Sequence, residues 1–321
     1  MTSLSGIVPG LPYEIVTVTP DTDEWLEERR KSIGASEVAA VMGLSRYSTA
    51  LEVYKSKQGI ADNFDPLLGW IGHESEPIIE RWVSRWSGVP VTLEPGFMAR
   101  STARPELHAT FDRISRDPFT TWQFKTAHQY AGHHWDEGVP TDIRVQVQAE
   151  MFVAGTDRAA VVVWIGGREF RLYWEPRDNV FIDDHMVPAL VEFWGNLRAG
   201  VAPPPQNVTE AVETWPGEVS SQMELDDDTF DLLEELTVSR SDRKAMEERE
   251  DEIKLELAPL IANATELYRD GRLAYTYRPQ KGRTSFDREG LERDHPDVLA
   301  AYTRQGSPQR IIRYVKPKEE K

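Results

Sequence analysis

The 321-residue chain contains no cysteine, which excludes disulfides, zinc–thiolate sites and thiol nucleophiles; any metal must be held by oxygen or histidine ligands. The absence fits a reducing interior. Long hydrophobic runs are missing as well. No stretch approaches the roughly 20 apolar residues that a membrane span needs, and no basic region leads into an apolar run at the N-terminus. The expectation is a cytoplasmic protein without a membrane partner. Positive charge is also scarce, with 37 Lys and Arg against 54 Asp and Glu and a net charge of −17. Such a balance weighs against a nucleic-acid binder with a basic surface all round. It leaves room for one that encloses DNA in a local channel, and acidic side chains also gather divalent metals. The imbalance is uneven. From Asn207 to Glu256 there are 17 acidic and 5 basic residues, whereas Arg269 to Lys321 carries 13 basic and 8 acidic ones.

What is present is enough for a full core: 40% hydrophobic residues and 10% aromatics over a length that accommodates one large domain and a smaller one. The boundary signal is Ala202-Pro203-Pro204-Pro205, because consecutive prolines continue neither a helix nor a central strand. It separates a domain at 1–201 from an accessory region at 206–321, an acidic helical segment followed by a basic tail. Apolar spacing predicts helices over Trp25–Lys31, Ala50–Lys57 and Ile71–Trp86. His108–Phe111 and Thr121–Thr126 have strand character and are expected to form a hairpin through a turn at Asp117-Pro118. Asp142 is a candidate cap for a helix running to about Val153, and Ala159–Trp164 with Glu169–Trp174 predicts a second hairpin around Gly166-Gly167. Downstream, Asp226–Leu257 reads as a charge-laced helix, with short strands at Leu273–Tyr277 and Arg310–Val315. The expected core is mixed α/β.

The chemistry concentrates at Asp112 and at Gln123-Phe124-Lys125. On a strand, Gln123 and Lys125 share one face while Trp122 and Phe124 turn to the other, and an Asp112 on a neighbouring strand can reach the polar face. An acidic oxygen, a second oxygen ligand and a lysine two residues on suit metal-assisted phosphodiester hydrolysis. The oxygens hold Mg²⁺, which activates water and neutralises charge on phosphorus, and the lysine orients the nucleophile or stabilises the transition state. Taken alone the pattern is unspecific, since an Asp and a Lys flanking a hairpin are ordinarily just solvated. His133 and His134 are adjacent in sequence and for that reason ill placed to converge on one metal. They are expected on a surface loop.

The surrounding sequence is more specific. Trp25-Leu26-Glu27-Glu28-Arg29-Arg30-Lys31-Ser32-Ile33-Gly34-Ala35-Ser36-Glu37-Val38, then Gly72-His73-Glu74-Ser75-Glu76, the Asp112 region and Gln146-Val147-Gln148 resemble the YqaJ-like viral recombinases, the family of phage lambda exonuclease, in order and spacing. The likeness runs from about Trp25 to Trp194. It implies a PD-(D/E)xK nuclease core, a mixed sheet flanked by helices, in which Glu76, Asp112, Gln123 and the Phe124 carbonyl lie at two Mg²⁺ ions, with Mn²⁺ as a substitute. It further implies that Arg29, Ser36, Lys125 and Gln146 hold a terminal 5′-phosphate, with Gln148 as a supporting contact. Arg offers a bidentate fork, and a Ser36 opening a helix would place anions at a favourable helix end.

One position departs from the family pattern. Where the family most often has glutamate, this chain has Gln123, whose amide oxygen ligates Mg²⁺ but supplies no charge. The expected function is a 5′-to-3′ exonuclease on double-stranded DNA ends, leaving 3′ single strands for a phage-type single-strand annealing recombinase. The resemblance also implies a homo-oligomeric ring and a phage protein working in the cytoplasm of a bacterial host. The alternatives are a structure-specific endonuclease or nickase with the same core, and a DNA-end-binding protein in which Gln123 has weakened catalysis.

Overall fold

In a computed structural model, residues 6–7, 11–19, 22–60, 66–116, 118–215, 222–282, 284–304 and 312–313 are described. The chain divides into two compact units, Met1–Ala211 and Val212–Lys321. The first unit contains strands β1 (Gly6–Ile7), β2 (Tyr13–Val16), β3 (Ile33–Gly34), β4 (Glu94–Pro95), β5 (Met98–Ser101), β6 (Leu107–Thr110), β7 (Arg113–Arg116), β8 (Phe119–Ala127), β9 (Arg158–Ile165) and β10 (Glu169–Pro176). Its helices are α1 (Asp23–Arg30), α2 (Val38–Val41), α3 (Ala50–Lys57), α4 (Pro66–Trp86), α5 (Thr141–Ala154), α6 (Asn179–Phe181) and α7 (Val187–Ala199), and the unit boundary falls within α8 (Val208–Thr214). The mixed α/β architecture is the one expected.

Two five-stranded sheets carry the unit, in the orders β1-β2-β5-β6-β3 and β10-β9-β8-β7-β4. The second is mixed: β8 pairs antiparallel with β7 and parallel with β9, and β9 pairs antiparallel with β10. Strand β9 carries the apolar run Ala159-Ala160-Val161-Val162-Val163, buried at every one of these positions, as befits a parallel-paired strand covered on both faces. Alternation divides its contacts. Val161 and Val163 pack with Val147 and Met151 of α5, while Ala160 and Val162 pack with Trp122, Phe124 and the α4 residues Ile79 and Val83. Helices α4 and α5 therefore cover opposite faces of the same sheet.

Local signals fix the helix ends. Thr22 caps α1 by accepting from Trp25 N, and Thr49 forms a capping box with Glu52 at α3. Helix α4 begins at Pro66, earlier than the apolar spacing suggested, because proline suits the first turn of a helix. Helix α5 is capped by Pro140 rather than by Asp142, which sits within the first turn, where a carboxylate meets the positive end of the helix.

The expected hairpin is rearranged. His108 belongs to β6, which pairs with β5 and β3 in the first sheet. The partner of β8 is β7, through Arg113↔Trp122 to Arg116↔Phe119. The chain thus leaves one sheet at Thr110 and enters the other at Arg113, and Asp112 lies in the crossing rather than on a strand. That crossing is tight. Gly96 donates to the Asp112 carbonyl at 3.2 Å, and a Cβ at position 96 would come within 1.7 Å of the Phe111 carbonyl oxygen. The turn position Asp117 lies outside the described residues.

The first unit extends past the proline run. Glu210 of α8 is buried, accepts from the Thr49 hydroxyl at the start of α3, and accepts from Gln206 N at 2.8 Å. In the second unit a 35-residue helix, α9 (Asp227–Ile261), starts from an Asp226 cap and is followed by a hairpin of β11 (Glu266–Arg269) and β12 (Arg272–Thr276). None of its described residues is buried. Helix α9 is held by local ion pairs such as Lys254–Glu250 at 2.6 Å. Of the expected strand Arg310–Val315, all but residues 312–313 lies outside the described residues.

Candidate active site

Strand β8 outruns its partner. Pairing with β7 ends at Trp122, whereas pairing with β9 continues to Ala127, so the β7-side edge of β8 is open from Gln123 onward. Asp112 closes the start of this edge by accepting from Phe124 N at 2.7 Å through Oδ2. The N–H and C=O of one strand residue face the same edge, so the Phe124 carbonyl faces the Asp112 side too. A cleft of about 180 Å³ opens here, lined by Glu76 of α4 together with Asp112, Gln123, Phe124 and Lys125. All five residues assigned to the metal and catalytic positions meet in it.

The partners within the cleft are specific. Arg113 donates to Glu76 Oε2 and to Glu80 Oε2, each at 2.8 Å, and His73 Nδ1 lies 3.2 Å from Glu76 Oε1. Lys125 Nζ donates to Gln146 Oε1 at 3.1 Å, and Gln146 Nε2 donates to Glu150 Oε1 at 2.8 Å. A relay from the sheet into α5 results, because positions 146 and 150 share one helix face. Gln123 is buried, and its Oε1 has no hydrogen-bond partner; the same holds for Glu150 Oε2. Burial pushes the Asp112 carboxyl up to about 6, against the pull of Lys125 and of the Phe124 N–H. Burial, reinforced by the nearby Asp112 charge, pushes Glu150 up to about 8.

Among the described residues, no three His, Cys, Asp or Glu side chains converge closely enough to hold a metal. The donor set is a mixed one instead. Asp112, the unpartnered Gln123 amide oxygen and the Phe124 carbonyl are oxygen donors on one edge, with Glu76 across the cleft, and hard cations such as Mg²⁺ and Mn²⁺ take such a mixture. The buried, unpartnered Gln123 oxygen is the feature that fits a cation, because leaving it unsatisfied is costly.

Residues 24–157 match the description "YqaJ-like viral recombinase domain". That match covers about two fifths of the chain and includes the whole of the cleft. The uncharacterized protein YqaJ of Bacillus subtilis (strain 168) is 29% identical over 201 residues, covering 60% of this chain and 61% of the relative. The chain thus spans about three fifths of the length of the curated relative it matches. Among solved structures, an alkaline exonuclease from Laribacter hongkongensis aligns at a TM-score of 0.45 and 15% identity, over 62% of this chain and 100% of that one. A phage-related exonuclease from Haemophilus somnus 129PT aligns at 0.43 and 14% identity, over 53% and 96%. Both likenesses are remote.

The matched residues 24–157 include every residue singled out from the sequence, but not all of them meet in the cleft. Arg29 stacks on Trp25 with its guanidinium 4.6 Å from the ring centroid and lies 3.5 Å from Glu37 Oε1. Glu37 also accepts from Gly34 N and pairs with Lys57, both at 2.6 Å. Burial alone would raise Glu37, but Lys57 and Arg29 outweigh it and hold the carboxyl below its ordinary range. Ser36 is exposed inside the short 3-10 turn Ala35–Glu37, two residues past its cap. It does not open the helix, because Gly34 holds the cap position and Glu37 reaches back to it. Helix α5 packs against both this turn and β8, so it joins the Arg29–Glu37 cluster to the cleft.

Gln148 faces away, donating to Pro176 O at 2.8 Å and accepting from Asp178 N at 2.9 Å, which ties down the chain after β10. His133 and His134 are exposed on a 3-10 helix, Gln129–Trp135. Sequence reasoning missed Glu150 and Arg113. The sequence marks the first only by its place one helical turn after Gln146, and the second only as the cation directly following Asp112.

Proposed function

We propose that this protein is a Mg²⁺-dependent deoxyribonuclease that digests double-stranded DNA ends in the 5′-to-3′ direction. The observation that carries the reading is the convergence of Glu76, Asp112, Gln123, Phe124 and Lys125 on one open strand edge. Asp112, Gln123, the Phe124 carbonyl and Glu76 would hold the metal, which when bound lowers the pKa of water and offsets charge on the scissile phosphate. Lys125 sits at the same edge with its ammonium oriented by Gln146, so it can position the attacking water or stabilise negative charge on the phosphoryl oxygens. Glu76 is engaged by Arg113 and must be released, at least in part, to take up a ligand role.

Arg29 and Ser36 are the proposed contacts for the terminal 5′-phosphate. The 3′ strands left behind would serve a single-strand annealing recombinase, with copies of this chain closing as a ring around DNA. The second unit, without a buried residue among those described, is read as an accessory module that docks on DNA, on a neighbouring subunit or on the annealing partner. Incubation of linear and closed circular duplex DNA with Mg²⁺ tests the proposal. Digestion of the linear form alone is expected; cutting of both would make the enzyme an endonuclease, and binding without cutting would make it an end-binding protein.

A further inference from the structure

We infer that Glu150 is a second carboxylate of the metal site, supplying from helix α5 the negative charge that Gln123 does not supply from strand β8. The inference rests on the reading of the cleft as a divalent-cation site. Three observations carry it. Glu150 is 1% exposed, and a carboxylate so enclosed is retained at a cost unless something offsets it. Its Oε1 is fixed by Gln146, which is fixed in turn by Lys125, so the side chain is built into the cleft's own hydrogen-bond network. Its Oε2 is buried without a partner, and so is Gln123 Oε1 on the strand that α5 packs against. Both orphans are acceptors. An ionised carboxylate and an amide oxygen are both acceptors and cannot satisfy each other, whereas a hard cation is a partner for acceptors of both kinds.

Asp112 lies within electrostatic reach of Glu150, so an ion drawn to one carboxylate is drawn to the other. A merely structural Glu150 would need its second oxygen bonded within the core, and no such bond is made. The exchange is between positions: a strand site that carries an amide in place of a carboxylate, and a helix that brings a carboxylate to it.

Mn²⁺ binding to the full chain without DNA, measured by calorimetry and by electron paramagnetic resonance, tests the assignment. Glu150→Gln is expected to weaken Mn²⁺ affinity by about ten- to a hundredfold. The double variant Glu150→Gln with Gln123→Glu is expected to recover most of that loss, because the charge has only moved from helix to strand. A structural role would not be rescued from position 123. If Glu150→Gln does not fold, Glu150→Asp keeps the charge on a shorter arm and should bind Mn²⁺ about fivefold or more weakly. Affinity within twofold of the unmutated chain for the variant that folds, or a double variant no better than Glu150→Gln, overturns the assignment. Asp112→Ala separates the two levels. If it loses Mn²⁺ while Glu150→Gln does not, Glu150 alone is misassigned; if it binds as the unmutated chain does, the cleft is not the cation site and both readings fall.

Discussion

In a chelator, the fold should become less stable as pH rises, and Glu150 should account for most of the loss above neutrality. A carboxyl with an ordinary value of 4.5 is held at about 8 in the folded chain, chiefly by burial. Its folded-state value lies above its unfolded one, so its contribution is fully present below about pH 4.5 and disappears as pH rises through about 8. At about 1.4 kcal/mol for each pH unit between those values, the ceiling is about 5 kcal/mol. Asp112, raised from 3.8 to about 6, adds a smaller loss, about 3 kcal/mol at most, confined to lower pH. Urea unfolding followed by tryptophan fluorescence at half-unit steps from pH 5 to 9, with EDTA present, measures the slope. Glu150→Gln removes the titrating group and should flatten the curve above about pH 6.5, while the Asp112 decline below it remains. Parallel curves for the two proteins would refute the burial argument. Saturating Mg²⁺ should reverse the trend in the unmutated chain, because the ion binds the deprotonated site.

Other expectations follow from the same contacts. Asp112→Ala and Lys125→Ala should each lower the rate of DNA digestion at least about a hundredfold while leaving duplex binding measurable by gel shift. Arg29→Ala should reduce a preference for 5′-phosphorylated over 5′-hydroxyl ends by about ten- to a hundredfold, read from initial rates on the two substrates; equal rates on both ends with the unmutated chain would remove the phosphate role. A chain ending at Ala211 should melt like the intact first unit. One ending at Val201 loses the Glu210 contact with Thr49 and should be less stable by about 1–3 kcal/mol in chemical denaturation.

Where the sequence carried periodic signals, the elements were legible. The alternation of Gln123 and Lys125 against Trp122 and Phe124 was readable because a strand allows no other partition, and α3 was bounded by its own capping box. Pairing was less accessible. Leu107–Thr110 and Arg113–Arg116 lie three residues apart and both suit a strand, and which of them joins β8 is a matter of long-range pairing that no local pattern encodes. Glu150 was hidden for a different reason. A glutamate on a helix looks solvated until the packing of α5 against the sheet shows that it is enclosed. The role of Ser36 as a cap was misjudged because the short helix already receives the Glu37 side chain, a reciprocal contact that a serine in sequence does not disclose.

The close approach at Gly96 has a consequence for how this protein tolerates change. No side chain stands there, yet even one methyl group would collide with the Phe111 carbonyl and displace the backbone that aims Asp112 at the strand edge. In a saturation-mutagenesis screen scored by DNA digestion, position 96 should therefore be as intolerant as Asp112 itself. The two should part company on soluble yield: substitutions at Asp112 leave a folded, inert protein, whereas those at Gly96 deplete the folded population as well. A residue without chemistry would thus set the permissible variation around the chemistry.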